Sequence, residues 1–135
     1  VISRGVVLDS SAIMAMICRE SRAMALADSL ERTRPRLVSS ATVLECALVL
    51  HQRFGSNGDV LLDEFLREFR IEVVAFDGEQ LQCARDGARR FGRGRHAAAL
   101  NFGDCFSYAL ATARGLPLLY VGNDLSHTDV TPHAF

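Results

Sequence analysis

The chain has 135 residues, a formal net charge of -1 and 49% hydrophobic residues, which suits one domain with its own core and argues against nucleic-acid binding by bulk positive charge. Every one of the 15 basic residues is Arg, so a Walker P-loop, a pyridoxal Schiff base and the Lys that accompanies a phosphorylated Asp are excluded in their usual forms. Cys18, Cys46, Cys83 and Cys105 form no C-x-x-C pair, no run is long enough for a membrane span and no leader pattern opens the chain, so reduced, core-lining thiols and a cytoplasmic location are expected.

Residues 1–5 read as a loose lead-in, and a single domain is expected over 1–135. Val6-Val7-Leu8 predicts a short buried strand closed by Asp9, with Ser10-Ser11 capping a helix through Ile17. A second helix is expected from about Ser21 to Thr33, stopped by Pro35, and a strand over Arg36 to Ser39. Ser40 to Phe54 is apolar on almost every side, which predicts a helix buried nearly all round and ended by Gly55, with Asn57-Gly58 as the next turn. Helical spacing then runs from Asp59 to Arg70, a β-branched strand from Ile71 to Phe76, and another helix from Gly78 to Phe91. Gly92 to His96 interrupts the pattern, Gly103-Asp104 opens a helix through Arg114 that Gly115 closes, and Leu118 to Val121 is the last core strand. Strands separated by pairs of helices predict an α/β/α sandwich with a mostly parallel central sheet.

Four acids stand out. Asp9 and Asp124 fall at or just past strand ends, where open α/β sheets place their ligands. Asp104 lies in the first turn of its helix, and its rim depends on which way that helix runs. Each of these has a plainer reading: Asp9 as a helix cap, Asp104 as a dipole complement, Asp124 as a turn former that Asn123 or Asp129 would replace. Glu45 is harder to explain away, because Val43, Leu44, Cys46, Ala47, Leu48 and Val49 surround it, and a carboxylate in such company needs a cation or an Arg. Carboxylates without His are hard oxygen ligands suited to Mg²⁺ or Mn²⁺, which activate water against a phosphodiester without a protein nucleophile.

A polyanion also needs positive charge. Arg85, Arg89 and Arg93 recur every fourth residue, with Arg90, Arg95 and His96 close by, and predict a basic stripe that binds phosphates; the plain alternative is a solvated face paired with Glu79 and Asp86. His51 is expected in the core or an interface, and His127 and His133 are expected to be exposed.

The segments Val7-Leu8-Asp9-Ser10-Ser11-Ala12, Ser40-Ala41-Thr42-Val43-Leu44-Glu45, Leu100-Asn101-Phe102-Gly103-Asp104-Cys105-Phe106-Ser107-Tyr108-Ala109 and Gly115 through Asp124 resemble PIN-domain ribonucleases, and more closely the VapC toxins of bacterial toxin-antitoxin pairs. The resemblance implies a PIN-like sandwich and an Mg- or Mn-dependent endoribonuclease whose metal set is Asp9, Glu45, Asp104 and a fourth acid, placed at Asp124 with Asn123 second. It also implies that Ser10 or Ser11 holds the first carboxylate, that the products carry 5′-phosphate and 3′-hydroxyl ends, and that Asp129 only braces its loop. The partners implied are RNA, a cognate antitoxin that sets a basic side chain among the acids, and a second copy of the chain, contacted by apolar residues between Ser21 and Arg70. Many relatives have Asp-Thr-Ser at Asp9-Ser10-Ser11, and several carry an acid at Asn123. That second departure supports the alternative, a non-catalytic nucleic-acid-binding or regulatory domain on the same fold.

Overall fold

A computed structural model describes residues 4–92, 94 and 99–135. Over these residues the elements are β1 (Val6–Leu8), α1 (Ser10–Ile17), α2 (Ala23–Glu31), β2 (Arg36–Ser39), α3 (Ser40–Phe54), α4 (Ser56–Glu68), β3 (Glu72–Val74), α5 (Gly78–Phe91), α6 (Phe102–Arg114) and β4 (Leu118–Leu119). The strands pair in the order β3-β2-β1-β4 and every pairing is parallel. This is the α/β/α sandwich that the alternation of strands and helix pairs predicts.

All three residues of β1 are buried, as a central parallel strand requires, and successive side chains go to opposite layers. Val6 and Leu8 join Ile13, Leu26, Leu30, Cys46, Leu50 and Phe65 in the core beneath α1 to α4. Val7 points the other way, into a core with Leu37, Leu118, Phe91, Tyr108 and Leu110 beneath α5 and α6. The chain passes from β1 outward through β2 to β3 and then returns to place β4 on the free side of β1. The order therefore reverses between β1 and β4, and the crevice beyond their carboxyl ends is where such sheets hold ligands.

Three expectations require correction. Asn57-Gly58 is not a turn: the break is at Gly55 (φ +62), α4 begins at Ser56, and a β-carbon at Gly58 would strike the Leu50 carbonyl, so this glycine serves the close approach of α4 to α3. Nor is α3 buried all round. It buries Thr42, Cys46 and Leu50 along one stripe and leaves Leu44 and Leu48 more than half exposed; of the two places expected for His51, its exposure excludes the core and not an interface. Finally, His133 is half-buried rather than exposed; its backbone N–H donates to the Leu118 carbonyl, its ring lies 3.4 Å from Thr33 Oγ1, and burial lowers its pKa. Of the thiols, Cys46 is buried and the other three are half-buried, all of them free.

Candidate metal centre

Asp9 follows β1 directly and caps α1, and its side chain is buried. A buried carboxylate requires donors, and Asp9 has three. Oδ2 accepts from the Ser11 backbone N–H (3.0 Å) and the Ser11 hydroxyl (2.6 Å), and Oδ1 accepts from the Ser107 hydroxyl (2.6 Å). Ser11 Oγ in turn accepts from the Val121 N–H (2.9 Å), while the Asp9 N–H donates to the Leu119 carbonyl (2.9 Å). One carboxylate thus joins the ends of β1 and β4 to the inner face of α6.

Because β2 runs straight into α3, the first turns of α3 stand at the same rim, and Glu45 lies in them, half-buried. Its neighbour across the gap is Gly103 of α6, where a β-carbon would collide with the Glu45 carboxylate. Burial pushes the Glu45 pKa up and the charge of Asp9 pushes it further, against a hydrogen bond with Ser10 that lowers it. The two serines after Asp9 therefore divide: Ser11 serves Asp9 and Ser10 serves Glu45. Glu45 Oε1 is buried with no hydrogen-bond partner.

The direction of α6 settles which rim Asp104 occupies. This helix returns the chain to the start of β4, so its amino end lies at the carboxyl ends of the strands. Asn101 and Asp104 form a capping box, with Asn101 Oδ1 accepting from the Asp104 N–H (2.9 Å) and Asp104 Oδ2 accepting from the Asn101 N–H (3.1 Å). Burial nevertheless raises the Asp104 pKa to about 6; the Asn101 backbone bond opposes the rise, and Asp9, Asp124 and Glu45 add to it. Asp104 thus complements the amino end of its helix, as the plain reading has it, while lying within electrostatic reach of the other acids.

Asp124 is exposed in the turn after β4, within electrostatic reach of Asp104. Asn123 is exposed, and its backbone carbonyl accepts from the N–H (3.2 Å) and hydroxyl (2.6 Å) of Ser126. Asp129 is elsewhere: it accepts from the Tyr108 hydroxyl (2.8 Å), pairs with Arg90 (3.3 Å) and borders a cavity shared with Arg4, Gly5 and Pro117, at the amino ends of β1 and β4.

The fold sets Asp104 within electrostatic reach of Asp9, Glu45 and Asp124, yet among the described residues no three His, Cys, Asp or Glu side chains close into a ready-made cage, in keeping with the mutual repulsion of the carboxylates. Among the described residues the ion pairs join Arg89 and Arg90 to Asp86 and Arg90 to Asp129, and none reaches this set. The residues fit a hard divalent cation on two counts: the donors are all carboxylate oxygens, and Glu45 Oε1 is an orphaned buried acceptor.

Sequence reasoning missed Ser107, whose fully buried hydroxyl fixes Asp9, and Gly103, whose lack of a side chain admits Glu45. Ser107 lies one helical turn after Asp104, which is the only signal that pointed to it. Of the expected basic stripe, Arg85 and Arg89 are exposed on α5, and Arg89 is tied to Asp86 (2.5 Å), which also takes Arg90 (3.2 Å). Arg93, Arg95 and His96 lie outside the described residues.

Residues 6–130 match the model of the PIN domain family. The chain is 44% identical over 124 residues to the VapC ribonuclease Mb0640 of Mycobacterium bovis, covering 92% of this chain and 95% of that one. It is also 44% identical to a ribonuclease VapC of Mycolicibacterium smegmatis, covering 92% and 96%. Among solved structures it resembles VapC20 of Mycobacterium tuberculosis, described as a Sarcin-Ricin loop cleaving toxin, with a TM-score of 0.71 at 17% identity over 94% of this chain and 99% of that one. It also resembles VapBC2 of Rickettsia felis bound to a promoter DNA fragment, with a TM-score of 0.75 at 13% identity over 95% and 96%. At those identities the structures speak for the fold.

Proposed function

The chain belongs to the PIN-domain family, and from that premise we propose that it is an endoribonuclease toxin of the VapC type, dependent on Mg or Mn and neutralised by a cognate antitoxin. The observation that supports this most is Glu45 Oε1, a buried carboxylate oxygen without a hydrogen-bond partner on a side chain within electrostatic reach of Asp9 and Asp104. Asp9, Glu45 and Asp104, with Asp124 as the fourth acid, would hold the ion, with Asn123 second to Asp124.

When bound, such an ion supplies positive charge that acidifies a water and offsets the charge that develops on a phosphodiester. The protein's own groups do the rest. Ser11 and Ser107 lock Asp9 so that both its oxygens keep fixed directions, and Ser10 steadies Glu45. The capping box fixes Asp104 on a rigid helix end, where burial raises its pKa to about 6.

For the antitoxin, α1, α2 and α4 border a groove of about 620 Å³ lined by Met16, Ile17, Met24, Ala27, Leu61 and Phe65. Its charged lining is three acids, Glu20, Glu64 and Glu68, against one base, Arg19. An amphipathic helix with basic flanks matches that chemistry. A homodimer using apolar side chains of the helices between Ser21 and Arg70, and action in the cytoplasm, complete the proposal; among the described residues no helix is long and apolar enough to cross a membrane.

The test is cleavage of RNA by the purified protein. Cutting that needs Mg²⁺ or Mn²⁺, stops with a chelator and leaves 5′-phosphate ends is the expected result. A folded protein that binds RNA but cuts none in either ion would move the chain to the alternative, a non-catalytic nucleic-acid-binding or regulatory domain.

A further inference from the structure

Phe102 is 82% exposed although it is next to Gly103, against which the Glu45 carboxylate packs, and two residues from Asp104. Its ring has a fixed setting. It stands edge-on to Phe106 at 4.9 Å between centroids and 85°, and Phe106 stands edge-on to Phe76 at 5.0 Å and 86°. Phe102 and Phe106 line a groove of about 390 Å³ together with Leu44 and Leu48 of α3, and Glu45 and Gly103 line the same groove. An apolar slot with an aromatic wall thus opens directly beside the acids.

This inference rests on the ribonuclease reading above. The slot shares Glu45 with the acids, so a strand whose phosphate is held there would pass beside it, and unpaired bases in RNA are recognised by stacking on aromatic rings. The homodimer proposed above would draw on apolar side chains between Ser21 and Arg70, a range that holds Leu44 and Leu48 but not Phe102, and a stable interface needs roughly 800 Å² from each side, more than the three exposed large apolar side chains of this slot supply by themselves. The geometry points to Phe102 as the platform on which the unpaired base flanking the scissile phosphate stacks, with Leu44 and Leu48 closing the opposite side.

The chain contains no Trp, so Phe102→Trp carries a single indole reporter. With chelator present, a single-stranded RNA pentamer is expected to quench its fluorescence, and a ribose-phosphate pentamer without bases is not. With Mg²⁺ or Mn²⁺, Phe102→Ala is expected to raise KM for the RNA pentamer about tenfold while kcat stays within about twofold. Phe102→Tyr should restore KM and Phe102→Leu should not. Equal quenching by both pentamers, or full rescue by Leu, would overturn the stacking role. So would a monomer–dimer equilibrium that Phe102→Ala abolishes together with quenching that follows protein rather than RNA concentration, since the ring would then belong to a contact between copies. Wild-type cleavage with an unaltered KM in Phe102→Ala sinks the stacking role alone, whereas absence of wild-type cleavage in either ion sinks the ribonuclease reading.

Discussion

Ser107 Oγ, on the buried face of α6, lies 2.6 Å from Asp9 Oδ1, although the two residues are 98 positions apart in the chain. The bond is made inside the protein, with Thr42 Oγ1 3.5 Å from the same hydroxyl, so no water replaces it if the serine is lost. Ser107→Ala is therefore expected to cost about 1 to 3 kcal/mol of stability and to lower metal affinity and cleavage ~10- to 100-fold. Denaturant unfolding and a Mn²⁺ titration on the same variant check both; Ser107→Thr should recover part of each. Unchanged metal affinity in Ser107→Ala would show that Asp9 needs only Ser11.

Gly103→Ala separates stability from function. Alanine is ordinarily better than glycine inside a helix by ~1 kcal/mol, and the group it would strike is the mobile end of Glu45. The expected variant melts at or above the wild-type temperature yet binds Mn²⁺ at least about tenfold more weakly, because the displaced carboxylate is one of the proposed ligands. A parallel loss of stability and affinity would mean that the helices, not Glu45, give way.

Asp104→Asn is expected to abolish cleavage with the fold intact, and metal-free protein gives it a pH signature. The folded state holds the Asp104 proton up to about pH 6, while the unfolded chain releases it near the ordinary value of 3.8. Between those values the folded state binds more protons, so stability falls as pH rises through the window and levels off above it. Removing the charge makes Asp104→Asn the more stable protein above about pH 6, with the difference gone below about pH 4. Thermal melts across that range in chelator are the measurement, and parallel curves would contradict the raised pKa.

For the fourth acid, Asp124→Asn should weaken metal affinity and cleavage together, and Asn123→Asp should strengthen them or leave them unchanged. Asp129→Asn should leave metal affinity alone, since its carboxylate is engaged by Tyr108 and Arg90 on another part of the surface. Isothermal titration with Mn²⁺ ranks the three variants, and loss of binding in Asp129→Asn alone would reverse the assignment.

The basic stripe can be tested by salt. Arg89 is already neutralised by Asp86, whereas Arg85 takes part in none of the ion pairs among the described residues. Arg85→Ala with Arg89→Ala should therefore lower the slope of log affinity against log salt by about one unit rather than two. A slope that does not change places both on a solvated face.

How much of this was legible in the sequence depended on how local the cause was. The limits of α5 follow from Asp77 capping Gln80 and from Gly92 after Phe91, and the start of α6 from the Asn101 and Asp104 box, all within a few residues. The rim position of Asp104 required the direction of α6, which only the strand order supplies. The exposure of α3 was illegible because Leu44 and Leu48 carry the same apolar signal as buried Cys46 and Leu50. Ser107 was illegible because a serine in an apolar helix resembles filler until the residue across from it is known.

The position of β1 between β2 and β4 sets an order of events during synthesis. Asp9 emerges from the ribosome long before the strand that completes its surroundings, Leu118–Leu119, and the Ser107 hydroxyl comes only shortly before that strand. Until then the nascent chain can pair β1 with β2 and β3 but has neither Asp104 nor Asp124 in place. A nascent chain that stops before Ser107 therefore lacks the assembled site, and the acids come together only once Leu118–Leu119 has been made.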